Sequence, residues 1–255
     1  DGRQLRERKT VEVGDQFVDP ENMNYIEIKP NSINEELRRG GAHTQPLDIS
    51  NRTGEEILIK VDNQKIGSNY QRSLFDNFEV ELRGNQQAAV EGRRSERPVL
   101  IVRAPREEIA AGGYYDKVKV SVFDPKTEEQ LQTKTVDLAF VVGEDFNYAA
   151  KVQDLKVKRM GEEVLFSTTV LNQSDLHFAP QARIYLKQKE EIMETINLEL
   201  PEEKEYILPE MSGLLTTQVQ DIEAGEYKAE VTIFRSEEEI TVKEFEVEIA
   251  PAEEE

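Results

Sequence analysis

Few side chains here are equipped for covalent chemistry. The 255 residues include two histidines and no cysteine, and His43 and His177 fall in different halves of the chain, so a shared metal site is not expected. No Gly-x-Ser-x-Gly elbow, His-Glu-x-x-His helix, phosphate-binding loop or dinucleotide fingerprint occurs, which leaves nucleophilic, zinc and nucleotide chemistries without their parts. No catalytic residue, metal ligand or cofactor is therefore assigned. The acidic runs Glu202-Glu203, Glu237-Glu238-Glu239 and Glu253-Glu254-Glu255 lack the alternating oxygen ligands and Gly of a calcium loop and read as solvated faces. Calcium shared between adjacent subunits stays open, without a ligand set. Asn51-Arg52-Thr53 and Asn172-Gln173-Ser174 are both sequons. Either a sugar projects there, making Asn51 and Asn172 glycosylation candidates, or Asn serves simply as a turn residue.

Charge narrows the partners. Lys plus Arg is 32 against 52 Asp plus Glu, a net −20, which disfavours nucleic acid and anionic membrane. No apolar run approaches the roughly 20 residues that span a bilayer, so membrane insertion is not expected. The sequence starts at Asp1, which is read as following signal removal, and the expected location is secreted or cell-surface.

The elements that must position anything on this chain are strands. Tyr25-Ile26-Glu27-Ile28, Ile57-Leu58-Ile59-Lys60-Val61, Phe78-Glu79-Val80-Glu81-Leu82, Val118-Lys119-Val120-Ser121-Val122 and Phe245-Glu246-Val247-Glu248-Ile249 alternate or run β-branched, a period of two rather than 3.6. Turn signals such as Gly112-Gly113 and Asp124-Pro125 separate them at the spacing of an antiparallel sandwich. A repeat is visible as well. Ile109-Ala110-Ala111-Gly112-Gly113-Tyr114 and Ile222-Glu223-Ala224-Gly225-Glu226-Tyr227 lie 113 residues apart, and each precedes an alternating strand. The stretch 48–53 resembles 169–174 at a spacing of 121, so one fold is used twice, with a longer loop in the first copy. Tyr114 and Tyr227 read as tyrosine corners, with Gly112 and Gly225 supplying the backbone angles. An ordinary loop tyrosine is the competing reading.

The expected fold is all-β: two tandem immunoglobulin-like β-sandwich domains with an N-terminal extended arm. Domain 1 spans 25–143 and domain 2 spans 146–250, with an acidic tail at 251–255. The arm, residues 1–24, matches neither repeat. It carries Arg3, Arg6, Arg8 and Lys9, then a strand-like stretch from Thr10 to Val18 with Val11, Val13 and Phe17 on one face. Such a segment exchanges into a neighbour's sheet, folds back as an extra strand, or stays unstructured. In the first case Val11, Val13, Phe17 and Val18 are the exchanged residues.

Ile28-Lys29-Pro30-Asn31-Ser32-Ile33, Gly40-Gly41, the segment 47–54, Ala104-Pro105 and 111–115 resemble bacterial and archaeal extracytoplasmic tandem Ig-like surface proteins, of the pilus-chaperone-like and WxL-interacting types. Val170-Leu171-Asn172-Gln173-Ser174, Phe178-Ala179-Pro180, Ile207-Leu208-Pro209 and 224–227 resemble the companion module. The resemblance implies a fold and an extracytoplasmic setting and says little about a ligand. The leading functional expectation is a non-enzymatic structural subunit of an extracellular filament, whose partners are copies of itself. Behind it stands a monomeric adhesion module binding a surface protein or glycan. A periplasmic assembly chaperone comes third, because 25–29 lacks the Arg of the basic pair by which pilus chaperones hold a subunit's terminal carboxylate.

Overall fold

The computed structural model describes residues 24–107, 109–201 and 204–251. The arm candidates Val11, Val13, Phe17 and Val18 lie outside this range. Among the described residues there are eighteen strands and one short helix. The first sandwich contains β1 (Ile26–Lys29), β2 (Ser32–Glu36), β3 (Ala42–Pro46), β4 (Asp48–Asn51), β5 (Ile57–Gln64), α1 (Leu74–Asn77), β6 (Glu79–Arg83), β7 (Gln87–Val90), β8 (Ser95–Glu96), β9 (Val99–Arg103), β10 (Gly112–Phe123) and β11 (Gln130–Val142). The second contains β12 (Ala150–Met160), β13 (Glu163–Asn172), β14 (Pro180–Gln188), β15 (Glu191–Leu198), β16 (Ser212–Gln220), β17 (Gly225–Arg235) and β18 (Glu238–Ile249).

In domain 1 a five-stranded sheet, β2-β11-β10-β5-β7, faces a layer made of β1-β4-β8 and β3-β9-β6. The chain passes from β1 in one layer to β2 in the other through the Lys29-Pro30 bond, which is cis; β2 joins β11 in parallel, while the other pairings in that sheet are antiparallel. In domain 2, β12-β13-β16 faces β15-β14-β17-β18. The long strands follow from strict alternation. Val118, Val120 and Val122 on β10 and Val136, Leu138 and Phe140 on β11 all point inward and are buried, with Lys117 and Lys119 between them partly exposed. Val231 and Ile233 on β17 do the same for Ile184 and Leu186 on β14. Burying each such side chain contributes about 1.5–3 kcal/mol.

The cores are separate. One cluster runs from Ile26 to Val142 and the other from Ala150 to Ile249, so the chain is two tandem immunoglobulin-like sandwiches. Each keeps its own last strand, β11 and β18, paired along its length with β10 and β17.

Candidate protein-binding cleft

Six consecutive residues at the start of β10 build the junction between the sandwiches. Gly112 sits at φ 133°, outside the range comfortable for other residues, and a Cβ there would meet the Asp175 carbonyl at 2.6 Å. Gly113 donates its N–H to that same carbonyl at 2.9 Å. The Tyr114 hydroxyl turns back to donate to Ala110 O at 2.9 Å. Tyr115 reaches across to His177: its hydroxyl accepts the His177 backbone N–H at 3.0 Å and lies 3.0 Å from Nδ1. Asp116, 1% exposed, accepts from Ile66 N, Ser73 Oγ and Phe75 N, which fixes the 65–76 loop to the strand. Lys117 pairs with Asp137 at 2.8 Å.

That loop carries the second clasp. Arg72 donates through Nη1 to Ala111 O at 3.1 Å and through Nη2 to Asp175 at 3.0 Å, while Asp175 also accepts the Asn147 N–H from the linker side. Being only 16% exposed, the guanidinium gains more from this pairing than a surface arginine would. Burial pushes the Tyr115 phenol up to about 12 and pulls the His177 imidazole below its usual value. A phenol held up in this way, hydrogen-bonded on both sides, is a structural clasp rather than an activated nucleophile.

Beside the junction lies a cleft of about 790 Å³. One wall is domain 1, from Asn31 to Asn34 on β2 with Lys117 and Ala139. The other is domain 2, where Tyr206 and Met211 stand 36% and 39% exposed. Of the two cations on the described lining, Lys117 and Lys204, Lys117 is paired with Asp137. The backbone of the cleft offers something as well. Asn31 O accepts from Asp137 N, and Leu37 N donates to Val141 O, so residues 31, 33, 35 and 37 face β11. Alternation then turns the N–H and C=O of Ser32, Asn34 and Glu36 away from the sheet. Among the described residues no strand pairs with that edge.

No family model matches the chain, and no curated protein sequence does. Several solved structures are similar to it. The YadV chaperone is 9% identical over 89% of this chain and 100% of its own, with a TM-score of 0.47. The class 5 fimbriae chaperone CfaA is 15% identical over 89% and 99%, at 0.44. The E. coli chaperone DraB is 13% identical over 88% and 96%, at 0.39. Likeness at this level concerns the arrangement of strands alone.

The structure assigns other work to the sequons. Asn51 and Asn172 are 2% and 0% exposed. The Asn51 amide donates to Glu55 O at 2.7 Å and Val90 O at 2.9 Å and accepts from Thr53 N. Asn172 donates to Leu176 O at 2.9 Å and Ile207 O at 2.8 Å and accepts from Ser174 N. Both nitrogens are spent on buried carbonyls, and a sugar on either would leave those carbonyls unpaired and have no path to solvent. Of the two readings of the sequons, these bonds are those of a turn lock, made at equivalent turns of the two sandwiches.

The repeat tyrosines occupy matching places. Tyr227 donates to Glu223 O at 3.0 Å, four residues back, as Tyr114 does to Ala110, and Gly225 sits at φ 157°. Among the described residues no cluster of His, Asp and Glu is arranged to hold a metal, and no helix is long and apolar enough to cross a membrane. Arg72, Tyr115 and Asp175 escaped sequence reasoning, since 103 residues separate Arg72 from Asp175 and no local pattern links them. The doubled Tyr114-Tyr115 was the available signal: on a strand, one of two adjacent tyrosines must face away from the core.

Proposed function

We propose that this chain is a non-enzymatic, extracytoplasmic protein that holds an extended segment of another protein by strand addition along β2, in the manner of an assembly chaperone. One observation carries the reading: the outward N–H and C=O groups of Ser32, Asn34 and Glu36 form an edge that no described strand pairs with, and Ser32 and Asn34 line the cleft between the two sandwiches. Strand addition supplies affinity through main-chain bonds, and alternate side chains of the guest find Tyr206 and Met211 across the gap. The clasp at Arg72 and His177 ties the two walls together, so less conformational freedom is lost when a guest binds. A role as recipient of a donor strand within its own core is less well supported, because β11 and β18 already complete both sandwiches.

The test is titration of a fluorescent peptide of about ten alternating apolar and polar residues, followed by anisotropy. Asn34→Pro removes an outward donor and places a ring on the edge. It is expected to weaken binding at least tenfold. Equal binding by the wild type and N34P, with both folded, would defeat the assignment.

A further inference from the structure

A second open edge lies on domain 2, and its two faces differ in chemistry. β15 pairs on one side with β14, and among the described residues no strand pairs with the other. Glu199, just past its end, exchanges both backbone bonds with Thr216. It therefore faces away from β14, and alternation turns the N–H and C=O of Asn197 and Thr195 the same way.

Register sorts the side chains. Ile196 and Leu198, opposite Ile184 and Ala182, are buried in the core, so Thr195 and Asn197 stand on the outer face of the sheet beside Tyr185 and Arg183. Met193 is the extra residue of a bulge, and Ile192, opposite Lys187, returns to that outer face. Glu194 and Glu191, opposite Leu186 and Gln188, fall on the core side, at the mouth of the sandwich, where both are exposed.

The outer face is apolar along this strand. Ile192 and Met193, 56% and 48% exposed, are the two most exposed large apolar side chains among the described residues. At the other end opens a cavity of about 220 Å³ lined by Gln181, Arg183, Asn197, Glu199 and Phe234. Its floor is fixed, since the Arg183 guanidinium lies 5.2 Å from the centre of the Phe234 ring and donates through Nε to Asn197 at 3.2 Å.

The mouth is acidic. Burial, then the carboxylates of Glu223 and Glu194, hold the Tyr227 phenol above its usual value, so Glu223 joins Glu194 and Glu191 there. The cations nearby are engaged elsewhere: Lys187 by Glu230 at 2.8 Å, and Arg159 by the carbonyls of Ile222 and Ala250. Among the described residues Glu191, Glu194 and Glu223 have no ion-pair partner.

Strand addition draws affinity from main-chain bonds and specificity from alternate side chains, and here the two faces ask for different ones. A second copy of β15 would add carboxylates to the mouth, where like charges are unfavourable. The stretch 10–18 of this chain carries Glu12 and Asp15 and no cation, so it meets the same objection. We propose that the β15 edge docks an extended segment of a partner protein in which apolar residues alternate with Lys or Arg. The apolar residues cover Ile192 and enter the cavity over Phe234, while the cations face Glu191, Glu194 and Glu223. This surface is separate from the β2 edge and does not depend on guest binding there.

A fluorescent decapeptide of alternating valine and lysine, followed by anisotropy against the full chain, tests this. It is expected to bind at least tenfold more tightly than a decapeptide of the same composition with its lysines in one block. Thr195→Pro should weaken binding at least tenfold, the double variant Glu191→Gln, Glu194→Gln severalfold, and Asn34→Pro not at all. Raising salt from about 50 to 500 mM weakens it severalfold. Circular dichroism checks that each variant is folded, and slowed amide exchange at Thr195 and Asn197 in the wild-type complex locates the peptide without any variant. No binding, equal affinity for the two peptides, or binding lost in Asn34→Pro and kept in Thr195→Pro overturns the proposal. Protection of the Thr195 and Asn197 amides without peptide, growing with protein concentration, would give the edge to a second copy and overturn it equally.

Discussion

Buried amides and hydroxyls decide more about this protein than its charged surface does. Asn172 makes three hydrogen bonds with no exposure, so Asn172→Ala leaves two carbonyls and one N–H unpaired. It is expected to cost about 2–4 kcal/mol, read from urea unfolding of domain 2. Tyr70 is the opposite case. Its hydroxyl is buried with no hydrogen-bond partner among the described residues, and burial raises its pKa. Tyr70→Phe removes an unpaid desolvation cost and should leave stability unchanged or raise it by up to about 1 kcal/mol. At this scale the sequence was half legible. The pattern Asn-x-Thr/Ser was visible twice, but the same three residues serve a sugar acceptor and a buried turn lock, and only burial separates the two.

Strands divide into centres and edges, and proline discriminates between them. Val120 on β10 pairs on both sides, with Lys134 and Val61, while Asn34 has its N–H turned outward. Asn34→Pro should cost under about 1 kcal/mol, whereas Val120→Pro should unfold domain 1, a contrast that thermal melts followed by circular dichroism will read. Strand existence was legible because residues such as Val118, Val120 and Val122 alternate with lysine and serine. The edges were not. Which side of β2 stays open depends on the chain crossing between layers at Pro30 and on β11 arriving from residue 130 onward, and nothing within 32–36 records that.

Among the described residues Gly113, Arg72 and Tyr115 of one sandwich meet Asp175 and His177 of the other, and His177 makes that junction sensitive to acid. Its pKa is lowered by burial, so the unfolded chain holds more protons than the native one between the folded and unfolded values. Its contribution is present in full above the ordinary histidine value, about 6.5, and is lost as pH falls through the lower folded value. Protonation also fixes an N–H at Nδ1, so the Tyr115 hydroxyl 3.0 Å away must then accept from it. Lowering the pH from 7.5 to 5 should therefore loosen the junction, seen as faster amide exchange at Gly113 and His177. A His177→Gln variant should lack that pH dependence. The duplication, the acidic charge and the two cores could be read from the sequence, since each is a sum over many residues. The angle-setting clasp could not, because it rests on Arg72 meeting Asp175 across the chain. β2 is held by β11 and lines the cleft beside that clasp. Amide hydrogen exchange across 32–36, measured with and without a saturating extended peptide, tests strand addition there most directly. Ser32, Asn34 and Glu36 should exchange quickly alone and slow at least tenfold with peptide, while Ile33 and Glu35 stay protected throughout. Unchanged rates at the three outward amides in a peptide-bound complex would contradict it.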